Sequence, residues 1–139
     1  MLPVTLFYEV DNLPKIKYIF LVGKVLFTLV VFSCAANSKI FDARVASVET
    51  EYTNIDTNLS ITELNDAGLR LGDRIQFEHQ GQVILATFGD DYADVERGDW
   101  IATENDDGTL ELAISFGGAC EKINCKIGDA LLVQLVPNK

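Results

Sequence analysis

Trp100-Ile101-Ala102-Thr103-Glu104, then Asn105-Asp106-Asp107-Gly108, then Thr109-Leu110-Glu111-Leu112-Ala113-Ile114-Ser115, is the stretch that decides the fold. Two runs of β-forming residues flank a polar turn, and Gly108 stands where a left-handed residue closes it, so the stretch reads as a β-hairpin. Working outward, Asp73–Glu78 alternates apolar and polar, His79-Gln80-Gly81-Gln82 supplies a turn and Val83–Phe88 runs apolar, a second hairpin. Ile40–Tyr52 has β-branched residues at a rough period of two, and Gly128-Asp129 turns into a last strand, Ala130–Val136. Ala119–Asn124 suits one or two helical turns. Several short strands with turns between them indicate a small barrel or sandwich. Gly72-Asp73, Gly98-Asp99 and Gly128-Asp129 each precede an apolar stretch; glycine there takes a positive φ and the aspartate binds nearby backbone N–H groups as the strand begins.

The 139 residues are 48% hydrophobic and 23% charged, with 21 acidic against 11 basic side chains and a net charge of −10. That length suits one domain plus a leader, and the apolar fraction is too high for intrinsic disorder. A chain with pI near 4.4 repels phosphate backbones, so no nucleic-acid partner is expected. One His and three Cys are too few for a zinc finger or a His-rich centre, and no metal is expected.

Residues 1–34 differ from the rest. They hold Lys15, Lys17 and Lys24, and after Lys24 runs the nine-residue apolar stretch from Val25 to Ser33, followed by Cys34. This is signal-peptide grammar, and the run is too short to span a bilayer, which needs roughly 20 residues. Val31-Phe32-Ser33-Cys34 is similar to a lipoprotein box, in which Cys34 becomes the lipidated first residue. An uncleaved anchor over Ile16–Phe32 with Lys24 snorkelling, or a buried strand, are the competing readings. The expected location is the cell envelope, with membrane attachment through the lipid or the leader. Residues 35–139 would then keep 8 basic and 19 acidic residues. With Cys34 consumed by lipid, Cys120 and Cys125 form an even pair for an oxidising compartment, either as a disulfide or as two small hydrophobes.

Chemistry is scarce. His79 is the only histidine and falls in the turn of a hairpin, where solvent exposure is expected, so Ser-His or Cys-His catalysis has one candidate partner at most. Neither G-x-x-x-x-G-K-[ST] nor G-x-G-x-x-G occurs. Asp90-Asp91-Tyr92-Ala93-Asp94-Val95-Glu96 lacks the spacing of a calcium loop and reads as a solvated acidic turn. No catalytic residue and no cofactor follow from the residues.

Tyr92-Ala93-Asp94-Val95-Glu96-Arg97-Gly98-Asp99 through Ala102, Gly108–Ser115, Gly118-Ala119 and Lys126-Ile127-Gly128-Asp129, together with Tyr52-Thr53-Asn54-Ile55-Asp56-Thr57-Asn58-Leu59 upstream, form a pattern over about residues 45–136. It resembles the C-terminal domain of the S-adenosyl-L-methionine (SAM) hydroxide adenosyltransferases, the family that includes the fluorinases and chlorinases. The resemblance implies a seven-stranded antiparallel barrel. The expected fold is therefore all-β, a small antiparallel β-barrel of about seven strands with one short helix, over residues 40–136. It also implies a site completed by a larger N-terminal domain of a neighbouring subunit in a trimer, so a homotrimer or a partner domain is expected.

By motif, Tyr52 and Tyr92 take positions suited to stacking on adenine, Asn54 takes an amide position, and Ser115 and Gly117 fall on the loop whose backbone faces the base. Asp106 and Asp107 stand where the halide synthases have a Ser-Arg pair facing the methionine end, and Ser115 replaces an Asn. Two aspartates would repel a substrate carboxylate that a cation attracts. Residues 1–39 are too few for the family's catalytic domain. The expectation is a non-catalytic exported module that binds an adenosyl-type small molecule or mediates assembly. The alternatives are a subunit of a SAM hydrolase completed by a separate domain, and a structural envelope lipoprotein.

Overall fold

A computed structural model describes residues 38–136. Cys34 and the proposed leader lie outside the described residues. Among the described residues, seven strands occur in the order β1 (Ile40–Val48), β2 (Ile55–Ser60), β3 (Arg74–His79), β4 (Gln82–Phe88), β5 (Trp100–Glu104), β6 (Thr109–Ile114) and β7 (Ala130–Val136). Helix α1 (Ile61–Asp66) follows β2, a 3-10 turn (Tyr92–Asp94) lies between β4 and β5, and helix α2 (Ala119–Ile123) lies between β6 and β7.

The strands close in the order β1-β2-β6-β5-β4-β3-β7, with β7 returning to β1. Closure leaves no long sheet edge to solvent. Alternation fixes what faces inward: Phe41, Ala43 and Val45 on β1, Ile75 and Phe77 on β3, Leu110 and Leu112 on β6, and Leu131 and Val133 on β7 are all buried. Phe77 meets Trp100 edge-to-face with ring centroids 5.2 Å apart, joining β3 to the start of β5.

Two features go beyond the expected antiparallel barrel with one helix. Strands β4 and β5 pair in parallel, at Thr87↔Ile101 and Phe88↔Ala102. A parallel pair cannot be joined by a tight turn, so residues 89–99 cross over between them. Helix α1 is the second difference. Ser60 caps it, its side chain accepting from the Thr62 N–H at 3.1 Å, and Ile61 and Leu64 seat it against the core. Gly72, Gly98 and Gly128 all take the positive φ expected of them, while Asp73 and Asp129 accept from the backbone N–H of Arg70 and Lys126.

His79 is the clear correction. It is 1% exposed rather than solvated. The turn is only Gln80-Gly81, both at positive φ (49° and 83°), so His79 pairs with Gln82 as the last residue of β3. Alternation from Ile75 and Phe77 then points its ring inward. Its Nε2 lies 2.8 Å from the Asp129 carboxylate, which brings the β3–β4 turn to the start of β7. The His79 hydrogen bond first, and the Lys126 N–H second, hold the Asp129 carboxyl below its ordinary value.

Replacing fully buried Phe77 with Ala is expected to cost about 3–5 kcal/mol in urea denaturation, since it empties the barrel centre and loses the Trp100 contact. Because the folded Asp129 carboxyl is lowered, its contribution is present above the ordinary aspartate value of about 3.9 and is lost as pH falls through the folded value. The urea midpoint of D129N should therefore drop below that of the parent at pH 6, and the gap should close as the pH is lowered below the ordinary aspartate value.

Candidate functional site

The elements at one end of the barrel meet around a cavity of about 300 Å³ lined by Tyr52, Asn54, Tyr92, Ile114, Phe116 and Gly117. Each comes from a different constraint. Tyr52 and Asn54 flank the turn between β1 and β2, with the Glu49 N–H donating to the Asn54 carbonyl at 3.0 Å. Tyr92 is delivered by the 89–99 crossover, whose 3-10 turn is closed by reciprocal bonds of Asp91 and Asp94. Ile114 ends β6, and the chain turns there through Phe116 at φ 59° and Gly117, whose N–H returns to the Ile114 carbonyl at 3.0 Å.

Tyr92 is held at both ends. Its hydroxyl accepts from Asn54 Nδ2 at 2.9 Å and faces the Glu111 carboxylate at 3.5 Å, while its carbonyl accepts from the Ser115 hydroxyl at 3.1 Å. Glu111 is itself fixed by the Thr103 hydroxyl at 3.1 Å. Burial, then the Glu111 charge, pushes the Tyr92 phenol above its ordinary value, while the Asn54 bond pulls the other way. The neighbouring Glu51 carboxylate does most to raise Tyr52. Both rings are therefore neutral at physiological pH, with faces available for stacking. Tyr52 is 60% and Phe116 75% exposed, so these rings form the rim rather than the floor.

Four of the residues singled out in the sequence, Tyr52, Asn54, Tyr92 and Gly117, meet in this cavity. Ser115 does not line it; buried at 1% exposure, it positions Tyr92 from behind. Asp106 and Asp107 lie at the far end of β6, which at about 3.4 Å per residue is roughly 17 Å from Ile114. There Asp107 accepts from the Thr109 backbone and hydroxyl, and Asn105 binds the Asp56 carboxylate at 3.0 Å. Phe116 escaped the sequence reading, although an aromatic beside Gly117-Gly118 was a usable signal for an exposed loop ring. Cys120 and Cys125 are joined in a disulfide, with Cα atoms 4.9 Å apart. Among the described residues, no three His, Cys, Asp or Glu side chains converge as a metal site would require.

Residues 43–132 match the SAM hydroxide adenosyltransferase C-terminal domain. The chain belongs to that family. Its fold is similar to that of an uncharacterized conserved protein from Thermotoga maritima, at TM-score 0.66 and 21% identity over 71% of this chain and 37% of that one. A conserved hypothetical protein from Thermus thermophilus aligns at TM-score 0.49 and 23% identity, over 68% of this chain and 34% of that one. The chain thus spans about a third of the length of either protein. No curated protein matches it.

Asn54 is only 6% exposed beneath the cavity, and its carboxamide N–H loses a partner when the Tyr92 hydroxyl is removed. Tyr92→Phe should lower stability by about 1–2 kcal/mol, measured by urea denaturation, while Tyr52→Phe, on the exposed rim, should stay within about 0.5 kcal/mol of the parent.

Proposed function

We propose that the barrel is a binding module for an adenosyl-type group, with the flat base held among Tyr52, Tyr92 and Phe116. The observation that carries this reading is the convergence of the two tyrosines, Asn54 and Gly117 on one cavity with apolar walls. Neutral aromatic rings supply stacking faces, and a base seated on them gains on the order of 1–3 kcal/mol. Asn54 spends its N–H on Tyr92 and keeps an amide oxygen for the exocyclic amine of an adenine.

The reaction in the family's name moves the adenosyl group from SAM to hydroxide, releasing adenosine and methionine. That step needs a group to direct water at the reacting carbon. The cavity offers tyrosines, an amide and glycine but no base, and His79 is sealed in the core against Asp129. The barrel therefore supplies base recognition, and a second domain or subunit supplies the chemistry and the rest of the site. Export fits the same chain if residues 1–34 act as a lipoprotein leader, with Cys34 as the anchored residue.

The test is a thermal-shift titration of the full chain with adenosine, SAM, methionine and guanosine. Adenosine and SAM should raise the melting temperature saturably, by the equivalent of about 2.7 kcal/mol at one hundred times Kd. Methionine and guanosine should give no shift, and Tyr92→Ala should abolish the response to adenosine. Equal shifts with guanosine, or none with adenosine, would sink the adenosyl reading. For the anchor, Cys34→Ala should move the protein from the membrane to the soluble fraction, and unchanged fractionation would remove lipidation from the account.

A further inference from the structure

Thr53 sits between the two cavity residues Tyr52 and Asn54 and has φ 52°. A β-branched residue avoids that left-handed conformation, so its surroundings must hold it there. The holder is α2. Its Cys120 N–H donates to the Thr53 carbonyl at 2.9 Å. Gly118, just before the helix, lets the chain pass so close that a Cβ there would meet the Thr53 hydroxyl at 2.6 Å. That hydroxyl is buried and has no hydrogen-bond partner, so packing alone fixes it.

Helix α2 is five residues long, far too short to persist by itself. Its two ends are tied instead by the Cys120–Cys125 disulfide and by the Cys125 N–H donating to the Cys120 carbonyl at 3.0 Å. Asn124, in the left-handed conformation at φ 57°, turns the chain between them.

We propose that α2 and its disulfide form a redox-sensitive clamp that holds Thr53 left-handed and so aims Tyr52 and Asn54 at the cavity. Thr53, Gly118 and Cys120 are positioning residues. A dithiol reductant cleaves the S–S bond: two electrons and two protons go to the sulfurs as two thiols, and the reductant leaves as its own disulfide. The untied helix frays, Cys120 releases the Thr53 carbonyl, and Thr53 relaxes toward negative φ. Affinity at the cavity then falls, because ordering the 52–54 turn becomes a cost of binding. The affinity part of the proposal rests on the adenosyl reading; the clamp itself does not.

The experiment compares the full chain, oxidised and dithiothreitol-reduced, by amide hydrogen exchange and by calorimetric titration with adenosine. Reduction should speed exchange over residues 52–54 and at Cys120, and should weaken adenosine on the order of tenfold, within the usual size of linked coupling. The double variant C120A/C125A should behave like the reduced protein and ignore the reductant. Thr53→Gly should make adenosine affinity indifferent to reductant, because glycine adopts positive φ without a clamp. Unchanged exchange over 52–54 on reduction would overturn the clamp. If exchange quickens as expected but adenosine binds neither form, the clamp stands and the ligand reading falls.

Discussion

The parallel pairing of Thr87-Phe88 with Ile101-Ala102 places the candidate site. Had β5 followed β4 antiparallel, a short turn would have joined them, and no segment would have been available to cross the barrel end. The parallel seam instead sets the start of β5 beside the end of β4, so residues 89–99 must loop out and return before β5 can start. That crossover carries Tyr92, and Ser115 and Asn54 secure it from the neighbouring elements. A topological requirement of closure thus becomes the means of bringing an aromatic ring over the ends of β2 and β6.

Two of the polar groups in the interior have different consequences. His79 and Asp129 join the β3–β4 turn to the start of β7 and belong to the barrel's own architecture. Asn54, Tyr92, Glu111 and Thr103 form a chain of contacts that ends at the cavity. In the second group every bond constrains the orientation of one ring, Tyr92, whose remaining surface is open. A network aimed at fixing an exposed aromatic is expected where the ring has to be ready for a ligand, because preorganisation reduces the entropy lost on binding.

Much of the barrel was legible in the chain because its signals are local. Alternation in Asp73–Glu78 and Thr109–Ser115, and a turn glycine at Gly108, identify hairpins without reference to anything distant. Helix α1 was legible in principle, since Ser60 and Glu63 have capping-box spacing, but six residues between strands leave little periodicity to detect. The parallel seam was not legible, because it depends on which strand lies beside β4 after closure. His79 was misplaced for a subtler reason. A two-residue turn rather than a four-residue one moves the histidine from solvent to the core, and one step of register reverses a side chain's face. At the cavity, Tyr52, Asn54, Tyr92 and Gly117 stand in motifs visible in the chain, whereas Phe116 has only the glycine pair beside it as a signal and depends on a left-handed turn after β6.

The separation of Asp106-Asp107 from the cavity gives the two ends of β6 different chemistry. The two carboxylates lie at the other end of β6, in a turn whose bonds are local, so they do not alter the aromatic cavity. The aromatic cavity and the acidic turn are therefore physically separate in this barrel. The first is built by Tyr52, Asn54 and Tyr92; the second lies about one strand length away, where two neighbouring acids oppose an anion and favour a cation. Substitutions in that turn can change its charge without disturbing the cavity, because none of its residues lines the cavity.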